Sequence, residues 1–191
     1  MALAWFVQGN RKGPTPTPEV VTSTDTPSEE VVVATDYPFP PLPTESQRLV
    51  VPSIGVDGYI QRVGIDQYKN IAVPTNVHLA GWFTQSVVPG EKGLSIIDGH
   101  VNGRKGAGIF SKLAQVSKGD EITITLANGT ARVFEVVSVT TIPTEEAANS
   151  LFSQDPAIER QLNLITCSGI YERASKDFTH RTIVAARLKK S

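Results

Sequence analysis

The sequence is nearly without cysteine: Cys167 is the only one in 191 residues. A single thiol excludes an internal disulfide and any zinc site built on several cysteines. The three histidines leave a His/Asp/Glu site open in principle, but no H-E-x-x-H spacing occurs, and neither a metal nor a cofactor is expected. A basic excess is also missing. A formal net charge of −1 argues against nucleic acid as a partner, because neutralising phosphates takes a surplus of Lys and Arg. The apolar stretch Ala2-Leu-Ala-Trp-Phe-Val7 is short of the roughly 20 residues that span a bilayer. It also lacks the basic segment that opens a signal peptide, with only Met1 before it. Trp5 and Phe6, set just before polar residues, suit a membrane interface. Residues 1–7 are therefore expected to be the end of a membrane anchor that is not complete in this chain.

Proline is present but confined. Eight of the 13 prolines lie before residue 46, so the chain has two regions with different physics. Thr-Pro-Thr-Pro at 15–18 and Pro-Phe-Pro-Pro-Leu-Pro at 38–43 favour extended polyproline II. The apolar content there is too low to offset the entropy of ordering. Residues 8–46 read as a Pro/Thr-rich disordered spacer, with Val31-Val32-Val33 a candidate for pairing with a sheet edge. Residues 47–191 read as one domain with a full core.

Within that domain the periodicity is that of strands. Arg48 to Ile54, Gly58 to Ile65, Asn70 to Val73, Val77 to Phe83 and Leu94 to Ile97 are short β candidates between turn residues. Glu121-Ile-Thr-Ile-Thr-Leu-Ala alternates with period two, and Thr130 to Ile142 runs back after Asn128-Gly129, a two-residue hairpin signal requiring positive φ at both positions. Ile109 to Val116 carries apolar residues at helical spacing. Thr144 to Phe152 reads as a second short helix, with Thr144 as N-cap and acids in its first turn. Leu162 to Cys167 is a core strand that stops at Ser168-Gly169, and Arg181 opens a last strand. About eight strands without long intervening helices predict a mainly β fold, a closed or nearly closed barrel with two or three short helices. The glycines at 103, 106 and 108 lack the Lys-Ser/Thr and the long helix of a P-loop.

A thiol at the end of a core strand is either a small buried hydrophobe or a nucleophile. A nucleophile needs a proton partner and a donor for the oxyanion. His100 follows a buried strand and precedes a glycine-rich loop, which sets it at a rim. His78 lies within a strand-like stretch. His180 precedes Arg181, and neighbours on a strand face opposite ways. Sequential strands often pair, which would bring Arg181 to Cys167.

These residues resemble the sortase family. The resemblance rests on Asp98-Gly-His100-Val, the glycine-rich loop with Ile109-Phe110, Leu164-Ile-Thr-Cys167, and Arg181 opening the final strand. The order His, Cys, Arg, the Thr before the Cys and the intervening Asn-Gly hairpin also match. Arg48-Leu-Val-Val-Pro-Ser-Ile-Gly-Val and Gly81-Trp82-Phe83 are similar to its first strands, nearest class F or the related classes D and E. Ser168-Gly169 stands where class F more often has two glycines.

The resemblance covers residues 47–191 and implies an eight-stranded sortase barrel. It also implies a cysteine transpeptidase on the extracellular face of the membrane. Such an enzyme cleaves a Leu-Pro-x-Thr-Gly-like signal after Thr and passes the acyl group to an amine of peptidoglycan or pilin. Its partners would be signal-bearing surface proteins. Cys167 would be the nucleophile, His100 the general acid/base and Arg181 the oxyanion donor, with Val101, Thr166 and Ser168 beside the substrate. An L,D-transpeptidase would place a histidine shortly before its cysteine, and Leu164-Ile-Thr-Cys167 has none. The remaining alternative is a non-catalytic cell-surface β-barrel binding module with an inert thiol.

Overall fold

The computed structural model describes residues 20–22, 27–30 and 45–190. Residues 1–7, most of the Pro-rich stretch and Val31 to Val33 lie outside the described residues. Eight strands close a barrel: β1 (Ser46–Val51), β2 (Val56–Val63), β3 (Ala80–Phe83), β4 (Gly93–Gly99), β5 (Glu121–Leu126), β6 (Ala131–Pro143), β7 (Arg160–Glu172) and β8 (Asp177–Leu188). Around the barrel they run β1-β2-β3-β4-β7-β8-β6-β5. β2 pairs with β3, and β4 with β7, in parallel; the other neighbours are antiparallel. Closure leaves no edge of the main sheet unpaired.

Alternation along the strands sorts side chains into two apolar clusters. The barrel interior holds Leu49, Ile60, Trp82, Ile97, Ile122, Phe134, Leu162, Leu164 and Val184. A second cluster on the outer face gathers Val63, Ala72, Phe83, Ile96, Leu151 and Ile183, with Ile165 packed against it. Leu151 comes from the one α-helix of the described residues, α1 (Ala147–Leu151), which lies over the outside of β7 and β8. Two buried amides tie its trailing end down. Asn163 Nδ2 donates to the Leu151 carbonyl (2.8 Å), and Gln161 Nε2 to Asn163 Oδ1 (2.9 Å) and the Ser153 carbonyl (3.1 Å).

Several local expectations change. The Ile109 to Val116 helix shrinks to a 3-10 turn at Leu113–Gln115, although Phe110, Leu113 and Val116 are buried in the core as their spacing suggests. Thr144 does not cap a helix. A 3-10 turn, Thr144–Glu146, leads into α1, and the Thr144 hydroxyl donates to the Phe178 carbonyl (2.7 Å). Pro52–Ile54 is a 3-10 turn that ends β1 early. Asn70 to Val73 provides only an isolated bridge, Ile65 to Ile71. The β5–β6 hairpin forms, but Gly129 alone takes positive φ there (+84°), and the Gly129 amide donates to the Leu126 carbonyl (2.9 Å). This makes a turn closed by a glycine bulge rather than a mirror-image two-residue turn.

β7 does not stop at Ser168-Gly169 either. It passes through a bulge, with Gly169 at φ +79°, and goes on to Glu172. The loop expected at 168–179 is therefore mostly a β7–β8 hairpin, steadied by the edge-to-face pair Tyr171 and Phe178.

Pieces of the stretch expected to be a spacer are docked on the domain. The Val21 amide donates to the Arg62 carbonyl (3.0 Å) and its carbonyl accepts from Gly64 (2.7 Å). Ser28 bridges in parallel to Asn76. Over residues 20–22 and 27–30 the expectation of disorder gives way to backbone pairing. Ser46 and Glu45 are already buried at the domain's start.

Leu164 has no exposed surface. Leu164→Ala is expected to cost about 2–5 kcal/mol through lost burial and a residual cavity, read as a lower urea midpoint at unchanged slope. Ile170→Ala, at a side chain 74% exposed, is expected to stay within about 0.5 kcal/mol.

Candidate active site

Two strand registers assemble the site. In the antiparallel β7–β8 pair, Cys167 sits directly opposite Arg181. In the parallel β4–β7 pair, Asp98 sits opposite Ile165. Carried on along both strands, that register brings His100, just past the end of β4, level with Cys167. Faces follow from alternation. Ile97, Leu164 and Val184 point into the barrel, while Ile96, Ile165 and Ile183 belong to the outer cluster. Cys167 and Arg181 therefore share the outer face with Asp98. His100 continues that side. Its Nε2 lies 2.8 Å from the Pro74 carbonyl, in the segment at 64–79 that runs over the outside of β2 and β3. The three residues singled out in the sequence thus form a row across three adjacent strands.

The expected substrate neighbours fall out differently. Thr166 alternates with Cys167 and is only 5% exposed. Its hydroxyl donates to the Gly99 carbonyl at 2.7 Å. Its side chain is turned inward and stitches β7 to β4 at the base of His100. Ser168 faces His180 across the hairpin, and its hydroxyl oxygen is buried without a hydrogen-bond partner. Val101 is half-buried, and its carbonyl accepts from the Gly108 amide (3.1 Å). His78 and His180 are not in the row. The His180 ring is 2.8 Å from Thr179 Oγ1.

Arg181 is held on the side away from β4. Its Nη2 alone donates to both carboxylate oxygens of Asp177 (2.8 and 2.7 Å). Its Nη1 donates to Thr144 Oγ1 (2.9 Å) and to the carbonyls of Phe178 (3.1 Å) and His180 (3.0 Å). Asp177 and Thr144 were missed as site residues. In an extended strand, residues four apart lie about 13 Å apart, so no local rule links Asp177 with Arg181. Thr144 looks like a helix cap from sequence alone. A cavity of about 460 Å³ beyond this cage is lined by Thr144, Glu145, Glu172, Asp177 and His180, among others, but not by Cys167 or His100.

The electrostatics describe a resting site. Burial raises the Cys167 thiol above its ordinary value; Arg181 lowers it, and Asp177 and Asp98 raise it. Burial lowers His100, with the Pro74 carbonyl opposing. Both shifts favour the neutral thiol and neutral imidazole, so the thiolate–imidazolium pair is the minor form near neutral pH. Asp98 is buried, with Oδ1 unpartnered, and burial raises its carboxyl well above the usual range. Its oxygen occupies the space that a side chain at Gly81 would need, a Cβ there falling 2.2 Å from Asp98 Oδ1.

The arrangement has clear relatives. A sortase-domain profile matches residues 49–189. Sortase A from Corynebacterium diphtheriae is similar at 25% identity and TM-score 0.57, over 77% of this chain and 61% of that one. This chain therefore spans less than two thirds of that relative. Sortase C-1 from Actinomyces oris is similar at 23% identity and TM-score 0.57, covering 75% and 73% of the two chains. A Clostridium perfringens sortase D5 transpeptidase is similar at 22% identity and TM-score 0.56, covering 76% and 79%. No curated protein sequence matches.

Alkylation of Cys167 by iodoacetamide should be slow at neutral pH and quicken only above the ordinary thiol range. Arg181→Gln removes the one charge that lowers the thiol, so its alkylation midpoint should rise. Asp177→Asn removes a charge that raises it, so its midpoint should fall. Midpoints that move together would contradict this account of the site.

Proposed function

This chain belongs to the sortase family, whose members are cysteine transpeptidases, and on that premise we propose that it cleaves a Leu-Pro-x-Thr-Gly-like sorting signal after Thr. The acyl group would pass through a thioester on Cys167 to an amine of peptidoglycan or of a pilin subunit. The observation that carries this reading is the pairing of Cys167 with Arg181 across β7 and β8, with His100 just past the end of β4, the strand that pairs with β7 on its other side.

In the first step the Cys167 thiolate attacks the Thr carbonyl carbon, and the C–N bond to Gly breaks. His100, as imidazolium, gives its proton to the departing amine, which leaves neutral imidazole. In the second step that imidazole takes a proton from the incoming amine, which attacks the thioester and releases Cys167. Arg181 is the donor for the tetrahedral oxyanion. It must first give up part of its cage, because Asp177 holds one outer nitrogen and Thr144 Oγ1 with the Phe178 and His180 carbonyls holds the other. A carbonyl bearing developing charge, set beside a cation, is the group able to compete for those donors.

Ile96, Ile165 and Ile183 lie on the outer face on the Cys167 side of the barrel, packed with Leu151 of α1 and Ala72 of the 64–79 segment. Within the family, the sequence features of β1 and β3 favour class F or its D and E neighbours. The outer face of a cell membrane is the setting we assign, with residues 1–7 as the end of an anchor. Among the described residues no helix is long and apolar enough to cross a membrane.

Mass spectrometry after incubation with a Leu-Pro-x-Thr-Gly peptide library, without added amine, should find an adduct on Cys167 ending at Thr. Cys167→Ala should abolish it. His100→Ala should lower kcat/KM by about 10²–10⁴-fold, and Arg181→Ala by about 10²–10³-fold. An alkylatable Cys167 that gains no adduct from any library member would refute this signal class.

A further inference from the structure

His100 is the one member of the row that no strand pair encloses. β4 ends at Gly99, and His100 opens an excursion that returns at Phe110, whose amide donates to the His100 carbonyl (3.0 Å). The excursion is closed at its base, where the Gly108 amide meets the Val101 carbonyl (3.1 Å) and Gly103 meets the Gly106 carbonyl (2.8 Å). Space at the base is so tight that a side chain at Gly108 would strike the His100 carbonyl. The exposed tip, Arg104 to Ala107, has no apolar anchor of its own.

What grips that tip comes from the other end of the chain. The Glu29 carboxylate accepts hydrogen bonds from the backbone amides of Arg104 (2.5 Å) and Lys105 (2.9 Å). Adjacent amides converging on a carboxylate make a charge-assisted clamp, stronger than a neutral pair. Gly103 leaves room for it, since a Cβ at that position would lie 2.8 Å from the Glu29 carboxylate.

Glu29 is itself held in place by its neighbours. The Ser28 amide donates to the Thr75 carbonyl (2.7 Å), and its carbonyl accepts from Val77 (2.9 Å). Asn76 Nδ2 donates to the Glu30 carbonyl (2.8 Å). The same 74–77 stretch reaches His100 twice. Pro74 offers its carbonyl to the imidazole Nε2, and the Val77 carbonyl accepts from Ile109 (2.8 Å) at the returning end of the excursion. Residues 28–30 therefore bind both structures that hold His100, one before it in the chain and one after it.

We propose that Glu29 is a positioning residue for His100: by clamping residues 104–105 while its flanks pair with residues 75–77, it fixes the imidazole against the Pro74 carbonyl beside Cys167. The role rests on the transpeptidase reading for its chemistry, because only a proton carrier at His100 makes that precision matter. Glu29 touches no reacting atom. It acts through backbone, so its loss leaves the barrel and its core intact. The titratable groups on the packed strands nearest His100 in register are Asp98 on β4 and Cys167 on β7. Glu29, Arg104 and Lys105 stand on the excursion side.

The test uses the full chain, Glu29→Ala and Glu29→Gln, with three readouts. Turnover of a sorting peptide should show kcat lowered about tenfold in Glu29→Ala at little change in KM, as expected for a misplaced catalytic group. An NMR titration of the His100 ring, its signal assigned by loss in His100→Gln, reads the site without any turnover. In Glu29→Ala the ring gains water and its midpoint should rise toward the ordinary histidine value, with the thermal midpoint nearly unchanged. Glu29→Gln keeps one acceptor oxygen but presents an NH2 to the second amide, so it should fall in between. A His100 midpoint identical to wild type in both variants would overturn the proposal, whatever happens to activity. A shifted midpoint in a protein that turns over no sorting peptide would keep the positioning role and sink the transpeptidase reading instead.

Discussion

The parallel pairing of β4 with β7 is the constraint on which the site depends. Parallel neighbours cannot be joined by a tight turn, and here the chain between them builds β5, β6 and α1 before returning. The register that results sets Asp98 against Ile165. A slip of one residue would turn every side chain of β7 to its other face. Leu162 and Leu164 would leave the barrel core, and Cys167 would enter it. Burial of the leucines thus holds the thiol on the outer face, and the Thr166 hydroxyl on the Gly99 carbonyl adds a directional lock at the level of the site. The β7–β8 hairpin then brings Arg181 opposite, and the row is complete.

The same outer face explains why the site is quiet at rest. It is roofed by α1 and by the 64–79 segment, so its polar groups are partly desolvated. Desolvation opposes charge on every titratable member: it raises the thiol and the Asp98 carboxyl and lowers the imidazole. The cation that would offset this, Arg181, is spent on Asp177 and Thr144. On the proposed reading a bound peptide would change both terms together, by supplying a carbonyl for Arg181 and by completing the enclosure. Reactivity would thereby be coupled to the presence of substrate.

Much of this was legible in the residues because it depends on short-range pattern. Strict alternation at Glu121 to Leu126 and the short, two-sided apolar run at Leu162 to Cys167 announced strands, and the lack of long amphipathic helices pointed to a barrel. His100 was legible as a rim residue because a buried run ends just before it and glycines follow. Where local rules compete, the reading slipped. Asn128-Gly129 is compatible with two turn types, and the twist of β5 and β6 chose the glycine bulge. Ser168-Gly169 spells a turn, yet cross-strand bonds to β8 carry the strand through it as a bulge. Thr144 has the chemistry of a cap, but the Phe178 carbonyl and the Arg181 guanidinium are nearer partners than its own helix.

The sequence by itself determined which side chains are apolar and at what period, and hence the strands, the two-faced sheet and the presence of one thiol with one rim histidine. Those properties belong to single segments, and their physics is complete within a few residues. Only the tertiary structure decided what lies across from what. Pairings such as Asp177 with Arg181, Asp98 over Gly81, and Glu29 on the amides of Arg104 and Lys105 join positions that share no local period. They exist because closing the barrel brings together side chains from segments far apart in the chain.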